Sequence, residues 1–174
     1  MNNDVLVQKI KAIYTGDEKA FEELYTELKT PIFTVIFRIT WNEDISEDIL
    51  QETFFKLFTS PINPSSIKNP RAYIFKMARN LSIDHIRTNP QDISLDEISE
   101  TATSQDDLSL HIDIEDALKC LSSQECEIVT LHIIGGFKFR EIAGILEAPS
   151  GTVKWRYHKA LKTLRKLMTG GKSS

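Results

Sequence analysis

The sequence predicts an all-α protein made of two small helical domains. Through most of its 174 residues, apolar side chains recur at spacings of three and four, the period of an amphipathic helix. We find no convincing strand and no internal repeat. Residues 90–110 are acidic, rich in Ser and Thr and weakly periodic, which is typical of a flexible linker. We therefore expect one domain at residues 1–89 and a second at residues 111–174.

The first domain begins with two predicted helices. A turn at residues 15–17 ends the first, whose apolar stripe consists of Val5, Leu6, Ile10 and Ile13. The second begins near Glu18, and Pro31 is expected to interrupt it or to mark a restart, because proline donates no backbone hydrogen bond. Residues 32–39 are apolar nearly all round, which predicts a buried helical segment.

Two further helices complete this domain. The third covers residues 45–58, and a loop rich in proline and turn residues follows at 59–69. Asn69 and Pro70 supply an N-cap and a first-turn proline for the fourth helix. We expect that helix to end at Arg87 or Thr88.

The second domain is predicted to contain a helix-turn-helix. Ser122 and Glu125 fit a capping box that opens one helix. A short helix is then expected at residues 139–146, a turn at 147–149, and a long helix to about Met168. Two amphipathic helices joined by a three-residue turn can place the second helix in a DNA major groove.

Charge is divided unevenly along the chain. The net charge of −4 includes −6 from residues 90–110, whereas the 27 residues after Glu147 contain seven cations and no acid. Because salt screens distant charges, such a local basic surface attracts phosphate. The alternative is a basic but merely solvated helix bundle. The residues expected to face DNA are Ser150, Thr152, Lys154, Trp155, Arg156, His158 and Lys159.

Four ordered segments resemble a known family. They are residues 48–58 (DILQETFFKLF), residues 69–87 (NPRAYIFKMARNLSIDHIR), residues 141–146 (EIAGIL) and residues 151–154 (GTVK). In this order and at this spacing they resemble bacterial RNA polymerase sigma factors of the extracytoplasmic-function (ECF) group. The resemblance extends from about Ala20 to Leu167. It implies a protein that directs promoter recognition, DNA melting and transcription initiation.

The resemblance implies roles for residues of the first domain. The third helix would bind the polymerase core through Asp48, Gln51, Glu52, Phe54 and Phe55. The fourth helix and the loop before it would bind the opened minus-ten promoter element, where cations hold phosphates and aromatic rings stack on bases. The residues concerned are Asn63, Asn69, Arg71, Tyr73, Phe75, Lys76, Arg79, Asn80 and Arg87. Burial of Tyr73 or Phe75 in the core is an open alternative.

The second domain would bind the minus-thirty-five promoter element, but it departs from the family pattern. Relatives commonly have a small turn residue at Glu147 and a Ser or Thr cap at Lys138. With Pro149 where Ser is frequent, either Ser150 caps the long helix or Pro149 is its first residue. Trp155 replaces a short side chain, and we expect its apolar contact with thymine methyl groups to alter base readout.

Other classes of protein are disfavoured. A spanning helix and a signal peptide are not evident, so we expect a cytoplasmic protein without membrane insertion. No catalytic motif is found, so we expect neither an enzyme nor a cofactor. The spacing of four potential ligands does not fit a zinc motif, so no metal is expected either; they are His111, Cys120, Cys126 and His132.

The expected partners are the RNA polymerase core, promoter DNA and an anti-sigma factor that would hold the protein inactive. The acidic linker could also mimic nucleic acid in the polymerase's RNA exit path. Two alternatives remain. One is a helix-turn-helix transcriptional regulator that binds operators without polymerase, and the other is a sigma-like interaction protein without promoter recognition.

Overall fold

The computed structural model describes residues 3–59, 63, 66–90 and 114–169. All regular elements in these ranges are helices, so the predicted all-α fold is confirmed. Residues 91–110 of the predicted acidic linker and His111 lie outside the described residues, as do residues 60–62, 64 and 65 of the predicted loop. The helices are α1 (Asn3–Tyr14), α2 (Glu18–Thr40), α3 (Glu43–Thr59), α4 (Pro70–Thr88), α5 (Ile114–Lys119), α6 (Ser123–Ile133), α7 (Phe139–Leu146) and α8 (Ser150–Thr169).

Side-chain caps begin the main helices where the sequence predicts them. Asn69 Oδ1 accepts a hydrogen bond from the Ala72 N–H at 3.0 Å, and Pro70 is the first residue of α4. At α6 the Ser122 hydroxyl and the Glu125 carboxylate form the predicted capping box. These bonds satisfy backbone groups that a helix start leaves unpaired.

The expected break at Pro31 is wrong. Helix α2 continues without interruption from Glu18 to Thr40, with Pro31 inside it. Proline inside a helix costs about 3 kcal/mol, but burying one Leu, Ile or Val side chain gains about 1.5–3 kcal/mol. Leu28, Ile32 and Val35 are all fully buried on both sides of the proline, so packing of one continuous apolar face outweighs the lost hydrogen bond.

The two domains share one hydrophobic core. Helix α6 packs along α2, and α7 packs against α4. Leu28 of α2 and Phe75 of α4 belong to the same buried cluster as Leu131 of α6 and Ile142 of α7. This packing turns the predicted minus-ten helix α4 towards the C-terminal domain.

Candidate functional sites

Helix α8 presents a basic outer surface. Val153 and Ala160 fix its inner face, since both are fully buried. Trp155 is 61% exposed, so its indole is available to a partner. Of the other residues predicted to contact DNA, Thr152 and Arg156 are half-buried, and those exposed are Ser150, Lys154, His158 and Lys159.

The turn before α8 differs from both predicted arrangements. Ser150 is already the first helical residue, and the carbonyl of Pro149 accepts a hydrogen bond from the Val153 N–H at 3.1 Å. Pro149 therefore occupies the capping position itself; this is possible because that position requires a carbonyl acceptor and no N–H donor. Glu147 has a left-handed backbone, with φ 53° and ψ 42°, where glycine is the usual residue.

Two cations of α8, Lys159 and Arg156, lie against other parts of the protein. Lys159 Nζ lies 2.9 Å from Glu125 Oε1 and 5.6 Å from the Trp155 ring centroid. Arg156 lines a cavity of about 260 Å³ that also contacts Arg79 of α4. Its buried Nε finds no hydrogen-bond partner among the described residues. Lys154 is exposed near the start of the helix.

Two cations of α4, Lys76 and Arg79, form ion pairs with the C-terminal domain. Lys76 Nζ lies 2.7 Å from Glu147 Oε1 in the turn before α8. The Arg79 guanidinium pairs with the carboxylate of Glu127 on α6, which is 8% exposed. Burial raises the pKa of Glu127 above its ordinary value, although the charge of Arg79 and its hydrogen bond oppose this shift.

Phe75 is a core residue in this arrangement. Its ring is fully buried and meets Phe137 edge-to-face, with centroids 4.8 Å apart. Arg71 lies over both rings and donates a hydrogen bond to the Gly135 carbonyl. A base therefore cannot stack on Phe75 while the two domains remain packed together.

The remaining predicted minus-ten residues have mixed surroundings. Tyr73 is half-buried beside Tyr14, whereas Asn63 and Asn80 are exposed. Arg87 is exposed and lies 3.1 Å from Asp84 one helical turn away. The surface beyond the domain contact therefore retains polar and cationic groups.

The Glu141 carboxylate joins the start of α7 to α4. Its Oε2 accepts the Lys138 N–H at 2.7 Å, while Oε1 accepts a hydrogen bond from Asn69 Nδ2 at 2.7 Å. Glu141 thus satisfies the backbone N–H of Lys138, although the Lys138 side chain makes no capping hydrogen bond. It also holds the residue that caps α4.

The predicted polymerase-binding residues lie on α3. Asp48, Gln51 and Glu52 are exposed, and Glu52 Oε1 lies 2.8 Å from Lys56 Nζ. Phe55 is 67% exposed, whereas Phe54 is buried beneath this face of α3. The acidic groups are therefore adjacent to an exposed aromatic ring.

An apolar groove of about 320 Å³ lies beside this face. We call it the aromatic groove. It is lined by Phe21, Tyr25, Gln51, Phe54, Phe55, Phe58 and Thr59. Phe21, Tyr25 and Phe58 were not predicted from the sequence to line a surface groove. The signal available was the four-residue spacing of Phe21 with Tyr25 and of Phe54 with Phe58, which places each pair on one helix face.

The described residues contain no cluster of three or more metal-ligating side chains. Within the same ranges, none of the helices combines the length and apolarity needed to cross a bilayer.

Comparisons with known proteins match both domains. Residues 24–90 match the family described as Sigma-70 region 2, and residues 111–164 match Sigma-70, region 4. ECF RNA polymerase sigma factor SigW of Bacillus subtilis (strain 168) is 26% identical over 179 residues, covering 93% of this chain and 96% of the relative. ECF RNA polymerase sigma factor SigL of Mycobacterium tuberculosis (strain ATCC 25618 / H37Rv) is 28% identical over 124 residues, covering 67% and 70%.

Two solved structures share the fold. The sigma factor RpoE from Bartonella quintana, in complex with the anti-sigma factor NepR, has a TM-score of 0.65 at 22% identity and covers 87% of this chain and 98% of its own. CnrH, in complex with the cytosolic domain of CnrY, also has a TM-score of 0.65, at 17% identity, and covers 98% and 100%. The chain belongs to the sigma-70 family of RNA polymerase sigma factors, within the ECF group, and functions in transcription initiation.

Proposed function

We propose that three surfaces divide the work of initiation in this sigma factor. The α3 face binds the polymerase core, α4 binds the opened minus-ten strand, and α8 binds the minus-thirty-five duplex. The observation that carries the proposal is the outer face of α8, where Lys154 and Trp155 are exposed on a segment without any acid. Such a face suits a phosphate backbone and a major groove.

The α3 face has the composition of a protein-binding surface. A largely exposed Phe55 next to the aromatic groove provides an apolar anchor, and aromatic anchors carry much of the binding energy at protein interfaces. Asp48 and Glu52 provide acids that would steer a basic partner surface into place. This combination favours a protein partner over nucleic acid.

The region boundaries follow the same division. Residues 1–89 carry core binding and minus-ten melting, residues 90–110 connect the domains, and residues 111–174 carry minus-thirty-five binding. The protein works in the cytoplasm, where the polymerase core is present, and acts by binding rather than by catalysis. Because RpoE and CnrH were solved in complexes with NepR and CnrY, an anti-sigma factor is the expected inhibitor.

The test is transcription in vitro from a library of genomic fragments, using purified core polymerase with and without this chain. New start sites that require the chain, with shared upstream and downstream elements, are expected. An operator-binding regulator would instead bind DNA tightly without core and create no start sites.

Matched variants assign the surfaces. Phe55→Ala should weaken core binding at least tenfold, whereas Met168→Ala, which removes an equally exposed side chain (66%), should not. Lys154→Ala should weaken promoter binding, whereas Lys166→Ala near the end of the same helix should have little effect. Equal effects within either pair would contradict the proposed surfaces.

A further inference from the structure

The exposed indole of Trp155 is contacted by a lysine that a buried carboxylate holds in place. Lys159 Nζ lies 5.6 Å from the centroid of the Trp155 ring and 2.9 Å from Glu125 Oε1. We infer that Lys159 and Glu125 are positioning residues, which fix the orientation in which the Trp155 indole meets the bases of the minus-thirty-five element. The inference rests on the proposed function of α8.

Glu125 is itself fixed at the start of α6. Its Oε2 accepts hydrogen bonds from the Ser122 N–H at 3.1 Å and from the Ser122 hydroxyl at 2.8 Å, which leaves Oε1 to Lys159. The Glu125 side chain is only 8% exposed, so loss of its cationic partner would leave a poorly solvated charge. We therefore expect the Lys159 ammonium to stay at this carboxylate, unlike that of an ordinary surface lysine.

Helix geometry passes this restraint on to the indole. Residues four positions apart lie on the same face of a helix, so Lys159 stands one turn beyond Trp155. A cation over the face of a tryptophan ring is attracted by the ring quadrupole. Because Trp155 is 61% exposed, packing does little to select its rotamer. The cation provides that selection.

A restrained indole improves base discrimination. Apolar contact with a thymine methyl group is short-ranged, so the ring must already lie where the methyl group will be. A mobile ring has to be ordered on binding, and this cost reduces the affinity gained from the correct base. The same contacts change the role expected of Lys159: because Glu125 compensates its charge, it should contribute less to phosphate binding than Lys154 does.

Fluorine NMR tests the contact in the free full-length protein. Labelling with fluorinated tryptophan gives two signals, from Trp41 and Trp155, and the signal missing in Trp155→Ser is that of Trp155. Lys159→Met keeps a long side chain, removes the charge and should shift the Trp155 signal. Lys166→Met removes the same charge near the end of α8 and should leave the signal in place. An unchanged Trp155 signal in Lys159→Met overturns the inference.

Glu125→Gln separates the ion pair from the helix cap. Glutamine can replace glutamate in a capping box, so this variant removes the charge that holds Lys159 while α6 keeps its start. It should shift the Trp155 signal in the same direction as Lys159→Met. A signal that responds to Lys159→Met but not to Glu125→Gln overturns the role of Glu125.

Sequence preference tests the positioning role. Core polymerase carrying the full-length chain selects among promoter fragments with randomised minus-thirty-five DNA, and Trp155→Ser identifies the base positions that depend on the indole. At those positions Lys159→Met should lower discrimination about threefold. Lys159→Arg should retain it, because arginine also stacks on aromatic rings and pairs with carboxylates. Equal discrimination by the native chain and Lys159→Met overturns the inference.

A double variant shows whether Lys159 acts through the indole. In a chain that already carries Trp155→Ser, Lys159→Met should lower discrimination little further, since the ring that it positions is gone. If the two losses add in full, Lys159 contacts the bases independently and the inference is overturned.

Salt dependence separates positioning from phosphate binding. A lost phosphate contact weakens binding about equally for all sequences and reduces the salt slope by about 1. Lys154→Met should show this pattern, whereas Lys159→Met should not, and equal reductions in slope overturn the inference. Failure of the proposed function is distinct, because the native chain would then select no upstream sequence at all. Failure of the inference alone leaves a selected sequence that Lys159→Met does not change.

Discussion

Phe75 in α4 and Phe137 before α7 meet edge-to-face with ring centroids 4.8 Å apart, although they belong to different domains. Both rings are at most 2% exposed. Edge-to-face packing aligns the positive edge of one ring with the negative face of the other. This pair is therefore central to the contact between α4 and the C-terminal domain.

Replacing Phe137 by Ala should lower the free energy of unfolding by about 3 kcal/mol, because a buried ring is lost and a cavity remains. Urea denaturation of the full chain measures this change. A double-mutant cycle with Phe75→Leu should give a coupling of about 1 kcal/mol. A coupling near zero would mean that the two rings do not interact in solution.

Ser122→Ala should destabilise the protein by about 1 kcal/mol, because the N-cap oxygen of α6 is removed. Ser123 is the next residue, is exposed and is the first residue of the helix, so Ser123→Ala serves as the control. Thermal unfolding of both variants provides the comparison. Equal losses would contradict the capping role.

Glu125 should stabilise the fold only while it is ionised. Burial alone raises its pKa, but hydrogen bonds from Lys159 and Ser122 outweigh burial and hold the pKa below 4.5. Its contribution is therefore present above pH 4.5 and is lost as the pH falls through the lowered pKa. The stability gap between the native chain and Glu125→Gln should narrow in acid, as measured by urea denaturation at several pH values.

Glu127, two residues further along α6, should behave in the opposite way. Because burial raises its pKa, the folded state binds the proton more tightly than the unfolded chain does. This contribution is present below pH 4.5, the ordinary value, and is lost as the pH rises through the raised pKa. Relative to Glu127→Gln, the native chain should lose stability as the pH rises through this range. A native chain that instead gains stability relative to the variant would contradict the assignment.

Trp155→Ser should change the preferred minus-thirty-five sequence, because a largely exposed indole on the outer face of α8 can contact thymine methyl groups. A binding selection with randomised upstream DNA measures the preference. Met168→Ser alters a similarly exposed apolar residue far from the start of the helix and should leave the preference unchanged. An unchanged preference in the Trp155 variant would refute the readout role.

Local patterns predicted much of the fold. The bounds of α7, the capping box at Ser122 and the start of α4 at Pro70 follow from signals within a few residues, and the structure confirms them. The expected break at Pro31 failed because the packing of residues distant in sequence decided the outcome. Helix propensity depends only on the residues of the segment itself, whereas α2 is also stabilised by packing against neighbouring helices.

The domain contact had no local signal. Lys76 and Glu147 are 71 residues apart, and each resembles an ordinary surface charge in its own segment. The sequence therefore predicted the cations of α4 but not the acids that cover them. For Phe75, burial and base stacking were both compatible with an aromatic residue on an amphipathic helix, and only the fold distinguishes the two in this arrangement.

The left-handed turn at Glu147 joins α7 to α8 and at the same time contacts α4 through Lys76. A substitution there would therefore alter both the orientation of α8 and the contact of α4 with the C-terminal domain. The orientation of α8 and the stability of the contact between the two domains consequently cannot be changed independently at this position.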